Sequence, residues 1–175
     1  VLYFAFSTNI SLLLVERGVT DTAMSGIATA IFMLGGCLFG FVFTRLLGLC
    51  KGWTACLAFV LLAASYLVIY CFDGIVPLLA AAFVGGGSLS VIFPFFLVTI
   101  AGQVDPTVSV MASSLILSVG PNLGSFVSPM ILTNLSRLLF GPGVSGRFLL
   151  AAILAVSLAG VLFALGLKKR GAAIK

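Results

Sequence analysis

The sequence contains no histidine and little charge of either sign: nine lysines and arginines and four acidic residues make up 7% of its 175 residues. A soluble domain carries about 25% charged residues. Here 62% of the residues are hydrophobic and the mean hydropathy is +1.34. We therefore expect a membrane protein. The net charge of +5 is small and lies at the ends of apolar segments, so nucleic-acid binding is not expected.

Side chains for metal or enzymatic chemistry are also scarce. The four cysteines, Cys37, Cys50, Cys56 and Cys71, form no CxxC pair, and without histidine they predict buried free thiols rather than a zinc site. No acidic or basic residue falls in the middle of an apolar segment, so an intramembrane hydrolase would lack its acid, base or nucleophile. We expect no metal, no cofactor and no enzymatic activity.

What the sequence does contain is six apolar segments, separated by short polar breaks. They cover residues 1–15, 22–46, 53–72, 75–101, 107–135 and 146–167. A helix needs roughly 20 residues to cross the hydrocarbon, and five segments reach that length. The first covers only about 22 Å as a helix and starts abruptly at Val1, so we expect the chain to begin inside a helix of a longer protein. The pattern predicts an all-α membrane protein with six transmembrane helices in a single domain, with Asp21 and Asp105 as helix caps.

The basic residues predict the orientation of this bundle. With alternating helices, one side receives Arg45, Lys51, Lys168, Lys169, Arg170 and Lys175, and the other receives Arg17, Arg137 and Arg147. Cytoplasmic loops carry the excess of lysine and arginine. The C-terminus is therefore expected in the cytoplasm.

The fifth segment contains an unusually polar stretch, S-V-G-P-N-L-G-S-F-V-S-P, at residues 118 to 129. On a helix, Ser114, Ser118, Asn122 and Ser125 fall within an arc of about 80°. Pro121 frees a backbone carbonyl and permits a bend. Polar side chains in a spanning helix face a cavity or the bundle interior, so both a cavity-lining helix and a polar seam that holds helices together are open.

Two further segments share this character. The fourth reads G-G-G-S-L-S-V-I-F-P, in which Gly85, Gly86, Gly87 and Pro94 suggest a hinge and Ser90 a cavity residue. The first segment adds Ser7 and Asn9 to the candidates, and the amide of Asn9 needs partners in hydrocarbon. The glycines of the second segment, including the Gly36-xxx-Gly40 spacing, predict helix packing. By contrast, Leu57–Leu62 and Leu149–Leu154 are expected to face lipid.

These features resemble the C-terminal six-helix half of a major facilitator superfamily transporter over essentially the whole chain. The stretch from Gly40 through Arg45 and Gly48 to Lys51 is similar to the cytoplasmic loop motif G-x-x-x-D-R-x-G-R-K, with Thr44 in place of the aspartate and the second glycine one residue late. The stretch from Gly85 to Pro94 resembles the family's tenth helix, and residues 122–129 resemble its eleventh.

The resemblance implies two six-helix halves around a central cavity, with alternating access between the two sides of the membrane. It implies a symporter or antiporter for a small organic solute or drug, with the acidic coupling residue in the N-terminal half that would be the partner of this chain. We expect an integral protein of a bacterial inner membrane. The alternative from the residues alone is a membrane scaffold or assembly subunit whose polar seams only pack helices.

Overall fold

Six α-helices make up the structure, a computed structural model that describes residues 2–19, 21–50, 53–102, 105–141 and 143–172. They are α1 (Leu2–Glu16), α2 (Thr22–Cys50), α3 (Thr54–Cys71), α4 (Ile75–Ala101), α5 (Pro106–Phe140) and α6 (Ser145–Ala172). No strand occurs within these ranges. In the part searched, α2 to α6 are long and apolar enough to cross a membrane, whereas α1 is shorter. The six predicted helices are present in the described chain, and five of them reach spanning length, which is consistent with an all-α membrane protein. The sixth transmembrane span, through α1, stays a prediction.

The helix ends follow local chemistry. Asp21 caps α2 as predicted, because its Oδ1 accepts a hydrogen bond from the Ala23 backbone N–H at 2.9 Å. Asp105 occupies the N-cap position of α5, with Pro106 as the first helical residue, but its side chain makes no capping hydrogen bond. The sequence predicted that α2, α5 and α6 end near residues 46, 135 and 167, whereas the helices continue to Cys50, Phe140 and Ala172.

Helix α3 lies at the centre of the packing, between α4 on one side and α6 on the other. The expectation that Leu57–Leu62 and Leu149–Leu154 form lipid-facing surface is wrong for half of these residues. Those buried are Ala58, Phe59, Leu62, Leu150, Ala151 and Ala152. A helix that is apolar all round gives no sequence signal of which face packs, because core and lipid select the same side chains.

The closest helix contact joins α2 to α4 through glycines. A Cβ atom on Gly35 would overlap the backbone of Phe83, and one on Gly86 would overlap the carbonyl of Phe32. A Cβ on Gly87 would lie 2.6 Å from the Phe39 ring. These glycines let two backbones touch, which is how small residues hold helices together where lipid removes the hydrophobic driving force. The sequence predicted glycine packing on α2, but α4 supplies the other half of the contact.

The cysteines are free, as predicted, but the expectation that they are buried is wrong, because none of the four is fully buried. Cys37 and Cys71 are exposed and Cys50 and Cys56 are half-buried. Cys37 lies on the outer part of α2 and Cys71 is the last residue of α3, so neither is covered by a neighbouring helix. No group of histidine, cysteine and acidic side chains within the described ranges could hold a metal ion.

Gly86→Ala is expected to destabilise the protein by about 1–3 kcal/mol, because the added methyl group overpacks the α2–α4 contact. The matched control is Gly160→Ala on α6, where a Cβ would meet no atom within 4 Å. Alanine is the better helix former, so the control should be neutral or stabilising by up to about 1 kcal/mol. Thermal unfolding of the protein purified in detergent measures both. Equal midpoints for the two variants would show that the glycine contact is not tight.

Candidate functional site

The polar face of α5 is exposed rather than packed. Ser114, Ser118 and Asn122 are exposed and Ser125 is half-buried. Ser114 Oγ donates to the Val110 carbonyl at 2.8 Å, Asn122 Nδ2 to the Ser118 carbonyl at 2.7 Å, and Ser125 Oγ to the Asn122 carbonyl at 2.9 Å. Each of these donors is satisfied by its own helix. The acceptor oxygen of Asn122 has no partner in the described part of the chain and is open to a ligand or to water.

The fully buried side chains of helix α5 lie toward its C-terminal end. Its buried side chains are Ser128, Leu132 and Ser136, which are four residues apart and form one stripe. Of the described side chains between residues 108 and 127, none is buried. Pro121 lies inside the continuous helix near the boundary of these two parts. The part of α5 that carries the polar face therefore has only half-buried and exposed side chains among those described.

Ser90 lies apart from the polar face of α5. It lines a groove of about 370 Å³ between α2 and α4, together with Phe32, Met33, Gly36, Cys37, Gly86, Leu89 and Phe93. A Cβ on Gly36 would lie 2.7 Å from Ser90 Oγ, so the hydroxyl points toward α2. Gly87, which shares a face with Ser90 and Pro94, also packs against α2. The described contacts do not bring Ser90 together with Ser118 or Asn122.

Asn9 is buried in the interface between α1 and α6. Its side chain is 1% exposed, and Nδ2 donates to the Ala5 carbonyl at 2.9 Å and to Thr8 Oγ1 at 3.1 Å. Arg147 Nη1 donates to Asn9 Oδ1 at 2.7 Å. The amide, which the sequence showed to need partners, is thus fully engaged. Ser7 lies on a different face of α1 and is exposed.

Arg147 lies at the start of α6, but its side chain reaches along the bundle as far as Asn9. Asn9 precedes the last residue of α1 by seven positions, which is about 10 Å of helix. Arg147 lies in the first turn of α6, and its half-buried side chain extends along α1 to that depth. A long cationic side chain can bury its stem in this way. No carboxylate among the described residues forms an ion pair with it.

The last turn of α1 contacts the ends of two other helices. Glu16 accepts hydrogen bonds from the backbone N–H groups of Val144, at 3.0 Å, and Ser145, at 3.3 Å, at the start of α6. These N–H groups have no partner within the helix. A negative charge beside them also interacts favourably with the positive end of the helix dipole. Although 128 residues separate them in sequence, Glu16 acts as the N-cap of α6.

Arg17 contacts the other end, the C-terminus of α3. Its Nη2 donates to the Ile69 carbonyl, and its Nε lies 3.4 Å from Asp73 Oδ1. A cation is favourable at the negative end of a helix dipole. Adjacent residues of opposite charge therefore join α1 to the start of α6 and to the end of α3. We call Glu16 and Arg17 with these contacts the α1 clasp. No local sequence pattern indicates the α1 clasp, because the three segments are distant in the chain.

The predicted cytoplasmic motif lies on helix α2. Gly40, Arg45 and Gly48 are all exposed, and a Cβ on Gly40 or Gly48 would meet no atom within 4 Å. Gly40 therefore takes no part in the tight α2–α4 contact that Gly35 and Gly36 make. Lys51, the last residue of the motif, lies outside the described residues. So do the side chains of the C-terminal basic cluster.

Asn9 and Arg147 are expected to be energetically coupled. Asn9→Leu should destabilise the protein by about 1.5–3 kcal/mol, because it removes the hydrogen-bond acceptor of a half-buried cation. The double variant Asn9→Leu/Arg147→Leu should lose less than the sum of the single variants. Chemical unfolding in detergent measures the cycle. Asn9→Leu combined with Arg137→Leu, an exposed arginine on α5, is the control and should be additive. Additivity of the Asn9–Arg147 pair would contradict the contact.

No protein-family model, curated protein or solved structure matches this chain. Its function therefore has to be inferred from the polar groups above. Of these, Asn9 and the α1 clasp are engaged in helix contacts, and Ser90 lies in a groove beside α2. The exposed polar face of α5 is the feature that helix packing within the described chain does not account for.

Proposed function

We propose that this chain is the C-terminal six-helix half of a secondary transporter of the major facilitator superfamily type. It would move a small organic solute or drug by alternating access, as a proton-coupled symporter or antiporter. The other half would be its partner in a bacterial inner membrane, with the C-terminus of this chain in the cytoplasm.

The observation that carries the proposal is the exposed polar face of α5. Hydrocarbon offers no hydrogen-bond partner to the side-chain amide oxygen of Asn122 or to the Ser118 hydroxyl, so this face would be unfavourable against lipid tails. It therefore has to face water or another protein surface. A cavity between two six-helix halves offers both. A helix whose exposed polar face has hydrogen-bond acceptors without partners is suited to form a wall of that cavity.

The way in which α5 is attached supports movement of this wall. The stripe Ser128–Leu132–Ser136 is buried toward one end of α5, and Pro121 divides the polar face. Ser114 and Ser118 lie on the far side of Pro121 from the stripe, whereas Asn122 and Ser125 lie on the same side as the stripe. Proline removes one i→i−4 hydrogen bond and makes bending less costly at that point. We therefore propose Pro121 as the hinge of α5. In α4 the run Gly85–Gly87 packs tightly against α2, so bending there would carry α2 with it, and Pro94 lies beyond this contact.

The distribution of acids supports a division of labour between the halves. Glu16, Asp21, Asp73 and Asp105 all lie at the ends of helices or in the breaks between them. Proton pathways usually display an ionisable residue within the membrane. The coupling acid is therefore proposed in the other half, while this half supplies Ser118, Asn122 and the moving wall.

Asn122→Leu in the whole protein is expected to impair solute transport at least about tenfold, since loss of one hydrogen bond in a site costs about that much. Uptake or efflux by cells or proteoliposomes is the measurement, with membrane expression quantified in parallel. The control is Leu123→Ala, the next residue on the same exposed part of α5 but 100° away. Transport unchanged by Asn122→Leu would favour the scaffold alternative, in which the polar face only packs.

Ser118→Cys in a protein without its four natural cysteines is expected to react with a membrane-impermeant thiol reagent. The reason is that a cavity wall meets water in at least one state of the transport cycle. Leu123→Cys, about 140° away on the helix and apolar, should react much more slowly. The extent of labelling, read by mass shift, compares the two. If both cysteines remain unlabelled with and without substrate, the polar face is buried against protein.

A further inference from the structure

A polar cavity of about 460 Å³ lies beside the α1 clasp and is lined by Leu13, Glu16, Arg17, Asp73 and Ser145. This volume lies within the usual range of small-ligand pockets. Asp73 follows the end of α3 and Ser145 begins α6, so the cavity opens where spanning helices end. It is therefore at the depth of the lipid headgroups rather than of the tails.

Arg17 has a donor that the described residues leave without a hydrogen-bond partner. Its side chain is only 10% exposed. Of its three guanidinium nitrogens, Nη2 donates to Ile69 and Nε pairs with Asp73, whereas Nη1 is buried and has no hydrogen-bond partner among the described residues. A buried charged donor without an acceptor is unfavourable, so an oxygen atom that reached Nη1 would stabilise the guanidinium.

The carboxylates of the cavity, Glu16 and Asp73, favour a hydrogen-bond donor that carries positive charge. Both oxygens of Glu16 lie within 3.2 Å of the Val144 nitrogen at the start of α6. Asp73 is 91% exposed and reaches Arg17 only at 3.4 Å, so it retains acceptor capacity. With one guanidinium and two carboxylates the lining carries 1 − 2 = −1. A simple anion would add to this negative charge, and a simple cation would leave Arg17 Nη1 unsatisfied.

We propose that this cavity binds a zwitterionic group that carries a phosphate and a primary ammonium a few ångströms apart, as the headgroup of an aminophospholipid does. The phosphate oxygen accepts from Arg17 Nη1, and the ammonium donates to Asp73. Such a group adds no net charge to the lining. The proposal stands independently of the transport function, because the α1 clasp joins helices whatever the protein does.

The test is lipid binding by the whole protein, delipidated and purified in detergent. Short-chain phosphatidylethanolamine, phosphatidylcholine and phosphatidylglycerol are titrated separately, with bound lipid measured by native mass spectrometry and stabilisation by thermal unfolding. Phosphatidylcholine has the phosphate but no ammonium N–H, and phosphatidylglycerol has no ammonium. Phosphatidylethanolamine is expected to bind about tenfold or more tightly than either, because it alone can make both charge-assisted hydrogen bonds.

Two variants and one control assign the preference to this cavity. Arg17→Gln and Asp73→Asn should each remove the preference for phosphatidylethanolamine. The second tests the proposal even if Arg17→Gln fails to fold, because Asp73 is exposed and asparagine keeps an acceptor for Arg17. Arg137→Gln, at an exposed arginine near the end of α5, should retain the preference.

Free phosphoethanolamine distinguishes the two sources of this chemistry. If it displaces the lipid at similar concentration, the site takes a soluble zwitterion, and if it does not, the site takes the lipid headgroup. Equal binding of the three lipids, or a preference that survives in Asp73→Asn, would overturn the proposal and leave water as the partner of Arg17 Nη1.

Discussion

Polar groups inside hydrocarbon must find hydrogen-bond partners within the protein, because lipid tails supply none. This constraint governs how the chain places its few polar side chains. Backbone groups are satisfied within the helices, so what remains are the helix ends, a handful of serines and asparagines, and the charged side chains. Those side chains that are hydrogen-bonded within the described residues are satisfied in one of two ways, by their own helix or by a different one, and the two ways have different consequences.

Satisfaction by another helix fixes the bundle. Glu16 supplies an acceptor to the start of α6, Arg17 supplies a donor to the end of α3, and Arg147 supplies a donor to Asn9. All three tie α1 to α3 or α6, which already pack against each other. Helix α1 is too short to span a bilayer by its described length, yet its inner face is fully buried. Helix α1 is held in place by this apolar face, by the Glu16 contact at the start of α6 and by the Arg17 contact at the end of α3.

Satisfaction by the same helix leaves the surface free. The α5 polar residues donate to carbonyls three or four positions earlier, which costs no contact with a neighbour and creates none. A polar stripe of this kind does not bind α5 to α1, α4 or α6. Its remaining acceptors are free to bind a solute or water, whereas the Asn9 amide is already engaged. This is why α5, rather than the helix that carries Asn9, is the proposed wall of a cavity.

How much of this was predictable depends on the distance over which each signal acts. The six helices and the Asp21 cap follow from residues close together in sequence, and these predictions hold. The α1 clasp and the Asn9–Arg147 contact join residues 128 and 138 positions apart, so they depend on which helices become neighbours. The run Gly85–Gly87 suggested a hinge because three consecutive residues without side chains weaken a helix locally, and the local sequence does not show what packs against them. Its contact with Phe32 and Phe39 appears only when α2 lies beside α4.

The contrast between tight and loose packing also bears on where such a bundle can change shape. Close-packed contacts have discrete arrangements and resist gradual deformation, as the glycine contact between α2 and α4 does. Bending is cheapest where few partners must be repacked and a backbone hydrogen bond is already absent. In the described structure both conditions meet at Pro121, which divides the polar face of α5 and precedes its buried stripe. A force applied to Ser114 or Ser118 would therefore move the part of α5 before Pro121 without first disturbing the core around α3.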